Sequence, residues 1–141
     1  MAINNTYMCL DVGEKRIGVA TASSLSRIAQ PHSTLVHDQD TFEAIDRIVT
    51  DMHVSRLIVG LPRNMHGEDT AQTQYIRNFT DTLKHHIRNV NIEFQDEAQT
   101  SQKARTELHA RKKPYEKGDV DAVAATYILQ DYLDQHMGAA L

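Results

Sequence analysis

The sequence predicts an α/β protein built on a mixed β-sheet. Two short apolar segments near the N-terminus are separated by a glycine-containing turn, which is typical of a β-hairpin. Beyond them, apolar strand-like segments alternate with segments whose apolar residues recur at helical spacing. A hairpin followed by strand–helix alternation indicates a sheet with both antiparallel and parallel neighbours. The 141 residues, 40% of them hydrophobic, suit a single domain over residues 1–141 with its own core.

The hairpin comes first along the chain. Residues 7–10 are an apolar run that ends in Asp11, the turn sequence GEK follows, and residues 16–22 alternate as a second strand. Residues 34–36, after Pro31, are a candidate third strand.

Helix and strand patterns alternate in the middle of the chain. Asp40 and Glu43 have the spacing of a capping box, and apolar residues follow at helical spacing as far as Met52. Residues 57–59 form a short buried strand closed by the sequence GLP. The polar loop RNMHGED then leads into a second helix. Its apolar residues recur at every fourth position, with Ile76 beside them: Ala71, Tyr75, Phe79, Leu83 and Ile87.

One more strand and two helices are predicted in the last third of the chain. Residues 91–95 alternate as a strand that ends in two acids. A helix over about 100–111, a basic loop and a last helix over about 119–136 complete the chain.

Composition excludes several classes of protein. The longest apolar runs are four residues, far short of the ~20 that a membrane helix needs, and no secretory signal pattern begins the chain. Cys9 is the single cysteine, so no internal disulfide is expected, and no spacing of cysteines or histidines indicates zinc. We therefore expect a soluble, cytoplasmic protein without a membrane partner, with all eight histidines on its surface.

Three acidic positions interrupt the apolar pattern at the ends of elements. Asp11 ends a buried strand, Asp96 and Glu97 directly follow another, and Asp121 lies on the apolar stripe of the last helix, one turn in. Successive strand residues point to opposite faces, so at most one of Asp96 and Glu97 faces a common site. Acids gathered at one edge of a sheet provide the hard oxygen ligands that Mg²⁺ or Mn²⁺ prefers, and such ions serve phosphoryl-transfer chemistry.

Each acid also has a purely structural interpretation. Asp11 is a common residue at the start of a turn before glycine. Asp96 and Glu97 are typical of an exposed strand end. Asp121 favourably complements the dipole of its helix. Spacing alone therefore does not decide whether these acids form a metal site.

Four motifs in order resemble one protein family. They are LDVGEKRIGVA, IVGLPRNMHG, QDEAQT and GDVDAVAATYILQDYL, which together run through nearly the whole chain. Their order and spacing are similar to those of the YqgF/RuvX family of Holliday junction resolvases, also described as pre-16S rRNA nucleases. The resemblance departs at two places: Ala98 stands where the family has arginine, and TASS stands where it commonly has a Ser-Asp pair.

The resemblance implies an RNase H-like fold, a five-stranded mixed sheet flanked by helices. It implies that Asp11, Glu97 and Asp121 are both catalytic residues and metal ligands, holding two Mg²⁺ or Mn²⁺ ions for phosphodiester hydrolysis. Asp119 or Asp96 are candidates for a fourth ligand.

Basic residues near these acids are candidate nucleic-acid contacts. Lys15 and Arg16 lie in the hairpin beside Asp11, and Arg63 follows the GLP sequence. Residues 102–118 hold six lysines and arginines against two glutamates, a local charge of +4 within a chain of net charge −4. The alternative is an ordinary solvated surface. The candidates in that segment are Arg111, Lys112, Lys113 and Lys117.

Three functions are consistent with these features. The first is a metal-dependent nuclease acting on structured RNA, in 5′-end processing of pre-16S rRNA. The second keeps the chemistry but cuts four-way DNA junctions, which favours a homodimer over a monomer because symmetric cleavage needs two active sites. The third is a nucleic-acid-binding module that does not cut, which Ala98 makes conceivable. An actin-like ATPase, suggested by the Asp-x-Gly sequence, needs two lobes, and 141 residues hold one.

Overall fold

The computed structural model describes residues 5–96 and 117–136, with side chains from 121 onward in the second range. Five strands and three helices are formed in these residues. No helix among them is long and apolar enough to cross a membrane. In chain order the elements are β1 Thr6–Val12, β2 Arg16–Ser23, β3 Gln30–Val36, α1 Thr41–Asp51, β4 Val54–Leu61, α2 Ala71–His86, β5 Asn91–Asp96 and α3 Lys117–His136.

The five strands form one mixed sheet in the order β3-β2-β1-β4-β5. The pairs β1–β2 and β2–β3 are antiparallel, and the pairs β1–β4 and β4–β5 are parallel. The predicted hairpin and the predicted mixed sheet are therefore confirmed. The helix predicted over about 100–111 lies outside the described residues.

The edge strand β3 is longer than predicted, because it begins at Gln30 rather than at Thr34 and contains Pro31. Proline lacks the N–H group that a central strand needs, but an edge strand tolerates it. The β2–β3 register shifts between Val19 and Ala20, whose partners are Ser33 and Pro31. This irregularity accommodates the proline, which sequence periodicity treats as the end of a strand.

The start of α1 is capped differently from the prediction. Asp40 occupies the N-cap position as expected, but its side chain makes no capping hydrogen bond, so the predicted capping box is wrong. The Thr41 hydroxyl replaces it, accepting a 2.8 Å hydrogen bond from the Asp38 N–H and donating to the Val36 carbonyl at 3.1 Å. The turn before α1 is thereby tied to the end of β3.

The start of α2 is a capping box that the sequence analysis missed. The Thr70 hydroxyl accepts from the Thr73 N–H, and the Thr73 hydroxyl accepts from the Thr70 N–H. Thr73 also donates to the Pro62 carbonyl, which fastens the helix to the chain that leaves β4.

The predicted apolar stripe of α2 is only partly correct. Strict four-residue spacing drifts around a helix of 3.6 residues per turn, so a stripe read every fourth residue leaves the buried face. Ala71 is exposed and Tyr75 is half-buried. The buried residues recur at three- and four-residue intervals: Thr73, Ile76, Phe79, Thr80 and Leu83.

Helices cover both faces of the sheet, and strand alternation divides the core between them. On β1, Met8 and Leu10 pack in the cluster that contains residues of α1 and α2, whereas Tyr7 and Cys9 pack in the cluster that contains residues of α3. The stripe predicted on α3 is confirmed. Its members are all buried: Ala124, Ala125, Ile128, Leu129 and Tyr132.

A polar network fastens the C-terminal half of α3 to the sheet. The hydroxyl of the fully buried Tyr132 donates to Glu93 Oε2 and accepts from Arg56 Nη1, each at 2.8 Å. Arg56 Nε lies 3.2 Å from the same Glu93 oxygen. Burial, and then the hydrogen bond to Glu93, raise the pKa of Tyr132 above its ordinary value.

A backbone contact at Gly18 positions the N-terminal half of α3. A β-carbon at Gly18 would overlap the carbonyl group of Asp121 and lie 2.9 Å from the Ala122 nitrogen. Both opposing groups are helix backbone, so neither can turn away as a side chain would. The helix can approach β2 this closely because residue 18 is glycine.

We predict that Gly18→Ala destabilises the fold and displaces α3. Overpacking of this kind lowers the free energy of unfolding by about 1–3 kcal/mol. We expect a loss at the upper end of this range, because the opposing atoms belong to the helix backbone. Urea unfolding measures the loss. The matched control is Gly67→Ala, where φ is +74° but no atom lies within 4 Å, so only backbone strain of about 1–2 kcal/mol is expected. Equal losses at the two glycines would contradict the packing argument.

We predict that Tyr132→Phe lowers the free energy of unfolding by about 1–3 kcal/mol at pH 7, because Glu93 and Arg56 lose a hydrogen-bond partner. The raised pKa of Tyr132 contributes stability that is present below the ordinary value of 10.0 and is lost as pH rises through the folded-state pKa. The difference in the free energy of unfolding between wild type and Tyr132→Phe therefore becomes smaller above about pH 10. Denaturant unfolding at pH 7 and pH 11 tests this, and a difference that stays constant would argue against it.

Candidate active site

Asp11 and Asp121 are brought together on the face of the sheet that α3 covers. Asp11 pairs with Gly18 across the β1–β2 ladder, and directly opposite residues place their side chains on the same face. That face carries α3, because Tyr7 and Cys9 alternate with Asp11 along β1. The Asp121 backbone lies over Gly18. The contact that positions α3 therefore also places Asp121 on the face of the sheet that carries Asp11.

Arg16 forms an ion pair with Asp121. Its Nε donates to Asp121 Oδ2 at 3.0 Å, and the two side chains are 36% and 26% exposed. Arg16 is the first residue of β2 and lies on the same face as Gly18, two residues further on. The arginine predicted to contact nucleic acid is thus held by a carboxylate predicted to bind metal.

The turn between β1 and β2 is held by His37. The Gly13 N–H donates to the Arg16 carbonyl at 2.9 Å, which closes the turn. The His37 N–H donates to the Lys15 carbonyl at 2.9 Å, and its ring Nδ1 lies 2.7 Å from the Gly13 carbonyl. Since a carbonyl only accepts, Nδ1 carries the proton. Two hydrogen bonds from one residue therefore fix the hairpin beside Asp11.

The prediction that all histidines are surface residues is wrong for His37. Its ring is half-buried and packs edge-on against Phe79, with centroids 5.3 Å apart and planes at 81°. Its position after a short strand carries no periodic signal, because the packing partner comes from α2. The other described histidines are exposed: His32, His53, His66, His85, His86 and His136.

A cleft of about 320 Å³ opens beside the Arg16–Asp121 pair. Three separate parts of the chain form it: the β1–β2 hairpin, the first turn of α2 and the beginning of α3. Gln72, from α2, is a lining residue that the sequence analysis did not identify, because nothing in its local pattern distinguishes it from other exposed helix residues. The lining consists of Gly13, Glu14, Lys15, Arg16, Gln72 and Asp121.

Arg63 is held by acidic residues of the loop before α2 and of β5. Its Nε lies 3.6 Å from Asp69 Oδ1 and 3.7 Å from Asp96 Oδ1. Asp69 also accepts a 2.9 Å hydrogen bond from Arg77, which is the main cause of the lowered pKa of Asp69. Arg63 thus stabilises the loop that joins β4 to α2.

Asp96 is not positioned as a fourth ligand at the Asp11 site. Gln95 is buried on the α3 face, where its Nε2 donates to Gln135 Oε1 at 3.0 Å. Strand alternation therefore turns Asp96 to the opposite face, where its side chain is 67% exposed near Arg63. This corrects the expectation for Asp96, whereas the side chain of Asp119, the other candidate, lies outside the described part of the chain.

Several predicted site residues lie outside the described residues. Within residues 5–96 and 121–136, no three histidine, cysteine, aspartate or glutamate side chains are close enough together to hold a metal ion. The pair Asp11 and Asp121 alone does not make a complete metal site. Lys15 is exposed in the turn, and Lys117 begins α3 with its side chain undescribed. The residues outside the described ranges are Glu97, Arg111, Lys112 and Lys113.

Sequence comparison identifies relatives along almost the whole chain. A family model described as "RuvX: Holliday junction resolvase" matches residues 5–135. A relative from Sulfurihydrogenibium sp. (strain YO3AOP1), named "Putative pre-16S rRNA nuclease", is 37% identical over 127 residues, covering 89% of this chain and 88% of its own length. A relative of the same name from Chloroflexus aurantiacus is 43% identical over 131 residues, covering 90% of this chain and 85% of its own length.

Solved structures share the fold at low sequence identity. The structure named "T. thermophilus RuvC in complex with Holliday junction substrate" matches with a TM-score of 0.59 at 12% identity, covering 96% of this chain and 98% of that one. The Fowlpox virus resolvase in complex with Holliday junction DNA matches with a TM-score of 0.56 at 10% identity, covering 92% and 97%. The expected RNase H-like fold is confirmed.

We predict that His37→Ala loosens the hairpin that carries Lys15 and Arg16. The Gly13 carbonyl loses its half-buried donor and Phe79 loses a packing partner, so the free energy of unfolding falls by about 1–3 kcal/mol. Hydrogen exchange at the Gly13 amide becomes faster. The matched control is His85→Ala on the exposed side of α2. Unchanged exchange at Gly13 would show that His37 does not hold the turn.

Proposed function

The chain belongs to the RuvX family, and we propose that it is a divalent-metal-dependent nuclease that processes the 5′ end of pre-16S rRNA. The observation that carries the proposal is the placement of Asp11 and Asp121 on one face, next to a hairpin with two basic residues. Acidic ligands beside a basic approach surface are what phosphodiester hydrolysis at a metal site requires.

The residues present fit a hard divalent cation. Asp11 and Asp121 supply carboxylate oxygens, which Mg²⁺ and Mn²⁺ prefer. The ion pair of Asp121 with the Arg16 guanidinium at 3.0 Å supports this proposal, because the carboxylate already binds a positive charge. Because two carboxylates are too few, we propose that Glu97 supplies the third and that water completes two ion sites.

The bound ions would lower the pKa of an attacking water and stabilise the leaving oxygen. The protein's part is binding and positioning. Gly18 positions Asp121 by admitting the backbone of α3 against β2. Lys15 and Arg16, at the rim of the cleft, bind phosphate oxygens of the substrate. No protein nucleophile is needed, because water attacks the phosphorus directly.

Charge is distributed to suit a polyanionic substrate despite the net charge of −4. The segment 102–118, which extends into the first two residues of α3, has a net charge of +4, so the rest of the chain carries −8. We propose that Arg111, Lys112, Lys113 and Lys117 contact the phosphate backbone. Pre-16S rRNA as substrate also agrees with the expected cytoplasmic location.

Four-way DNA junctions are the second candidate substrate. The family description supports it, since it names Holliday junction resolvases. Junction cleavage by paired cuts needs a homodimer, whereas RNA trimming is possible for a monomer. We favour RNA because relatives at 37% and 43% identity are named for pre-16S rRNA, while the resolvase structures share only 10–12% identity.

We predict that Asp11→Asn and Asp121→Asn each reduce metal-dependent cleavage at least ~100-fold, because loss of even an outer-shell partner of a metal ligand costs 10–100-fold. The assay offers precursor 16S rRNA and a four-way DNA junction side by side with Mg²⁺, Mn²⁺ or EDTA. Asp46→Asn is the matched control, since Asp46 is exposed on α1, across the sheet. It keeps wild-type activity.

The outcomes separate the three functions. Cleavage of precursor rRNA that EDTA abolishes supports the proposal. Cleavage of the junction alone, by a dimer, supports the second substrate. Binding without cleavage of either substrate under all conditions would replace the nuclease with a binding module. Cleavage that survives Asp11→Asn would overturn the metal mechanism.

A further inference from the structure

We propose that Arg16 exchanges partners during the reaction cycle, a step that rests on the proposed nuclease function. Its guanidinium pairs with Asp121 in the structure. When a divalent cation binds to Asp121, Arg16 leaves the carboxylate and becomes available to a phosphate group of the substrate. Arg16 is thus both a stand-in for the cation and a substrate-binding residue.

The observed ion pair is suited to exchange. The Arg16 and Asp121 side chains are 36% and 26% exposed, at the wall of an open cleft. Ion pairs that reach solvent contribute little to stability, because water and salt screen them and both side chains lose freedom. The contact is therefore strong enough to orient the two groups and weak enough to break.

The backbones of both residues are fixed, so the exchange must occur by side-chain rotation. The Arg16 carbonyl accepts a hydrogen bond from the Gly13 N–H in the turn, and Arg16 pairs with Val36 in the β2–β3 ladder. The Asp121 backbone is packed on Gly18 and cannot withdraw. The aspartate has a short side chain, whereas the arginine has a long one. Arg16 is therefore the partner that moves.

Electrostatics gives the reason for the move. A divalent cation bound to the Asp121 carboxylate would lie within a few ångströms of a guanidinium held at 3.0 Å from the same group. The two positive charges repel each other, and the ion competes for the same oxygen lone pairs. Metal binding therefore weakens the ion pair.

The cleft offers a destination for the released side chain. Lys15, exposed on the same hairpin, adds a second positive charge, and Gln72 adds an amide group. Glu14 is an acidic lining residue, so it would compete with a substrate phosphate for the released guanidinium. A guanidinium binds a phosphate with two parallel hydrogen bonds, which favours the phosphate.

The exchange couples the two ligands. If metal binding frees Arg16 for the substrate, metal tightens nucleic-acid binding, and by linkage the nucleic acid tightens metal binding by the same factor. The protein then assembles its catalytic site most readily when both are present.

Metal affinity without nucleic acid is the first test. Mn²⁺ binding is measured by calorimetry on wild type, Arg16→Gln and Lys15→Gln. Removing the competing guanidinium should tighten Mn²⁺ binding about two- to fivefold, the range that corresponds to a solvent-accessible ion pair. Lys15→Gln removes a charge one residue away without touching Asp121, so it should change the affinity less. Equal changes in Mn²⁺ affinity in the two variants would mean that Arg16 acts only through its general positive charge, and this would overturn the exchange.

The side-chain motion itself is the second test, and it needs no variant for its readout. The Nε–H resonance of Arg16, assigned in wild type by through-bond correlation to the Arg16 backbone, should be shifted and protected when no metal is added. Mg²⁺ titration should move it towards the position of a solvent-exposed arginine. A resonance that stays unchanged while Mg²⁺ saturates the protein would overturn the proposal. This test decides the matter if Arg16→Gln does not fold well enough for calorimetry.

The result distinguishes failure of the exchange from failure of the nuclease proposal. If wild type binds Mn²⁺, Asp121→Asn abolishes binding and Arg16→Gln leaves it unchanged, the exchange is wrong and the metal site stands. If wild type binds no Mn²⁺ or Mg²⁺ and cuts neither substrate, the proposed function is wrong and the exchange fails with it.

Discussion

The close contact between the backbone of α3 and Gly18 of β2 is the constraint on which the site depends. It sets the distance of the helix from the sheet at the point where Asp121 begins to face the core. Because Gly18 is the ladder partner of Asp11, the same contact brings two acids from distant parts of the chain to one face. A side chain at residue 18 would overlap the backbone of Asp121. Gly18, which in the sequence is only a residue without a side chain in an alternating strand, therefore determines where the catalytic candidates lie.

The C-terminal half of α3 is held by side-chain hydrogen bonds rather than by a backbone contact. Tyr132 is buried with its hydroxyl bonded to Glu93 and Arg56, so a polar network of matched partners replaces the backbone contact. The helix is thus held against the sheet at both Asp121 and Tyr132. The movable elements at the site are then side chains, and Arg16 at the rim of the cleft is the one whose partner a metal ion would displace.

Arg16 and Arg63 show how similar sequence signals lead to different structural roles. Both are basic residues next to glycine-containing segments, and the sequence predicts phosphate contact for both. In the structure Arg16 pairs with Asp121 on the α3 face, whereas Arg63 pairs with Asp69 and Asp96 at the loop before α2. The difference arises from which face of the sheet each position occupies, and an isolated arginine carries no local signal of that.

Sequence alone determined the elements whose signals are local. The hairpin, the apolar stripe of α3 and the acids that interrupt strands are visible because burial on one element leaves a periodic trace. The capping of α1 and the half-buried ring of His37 are not visible, because their partners are chosen by the path of the chain. The Arg16–Asp121 pair, 105 residues apart, was decided only by tertiary structure. Strand register and the packing of α3 on Gly18 bring such distant groups together, and neither is encoded in the spacing of neighbouring residues.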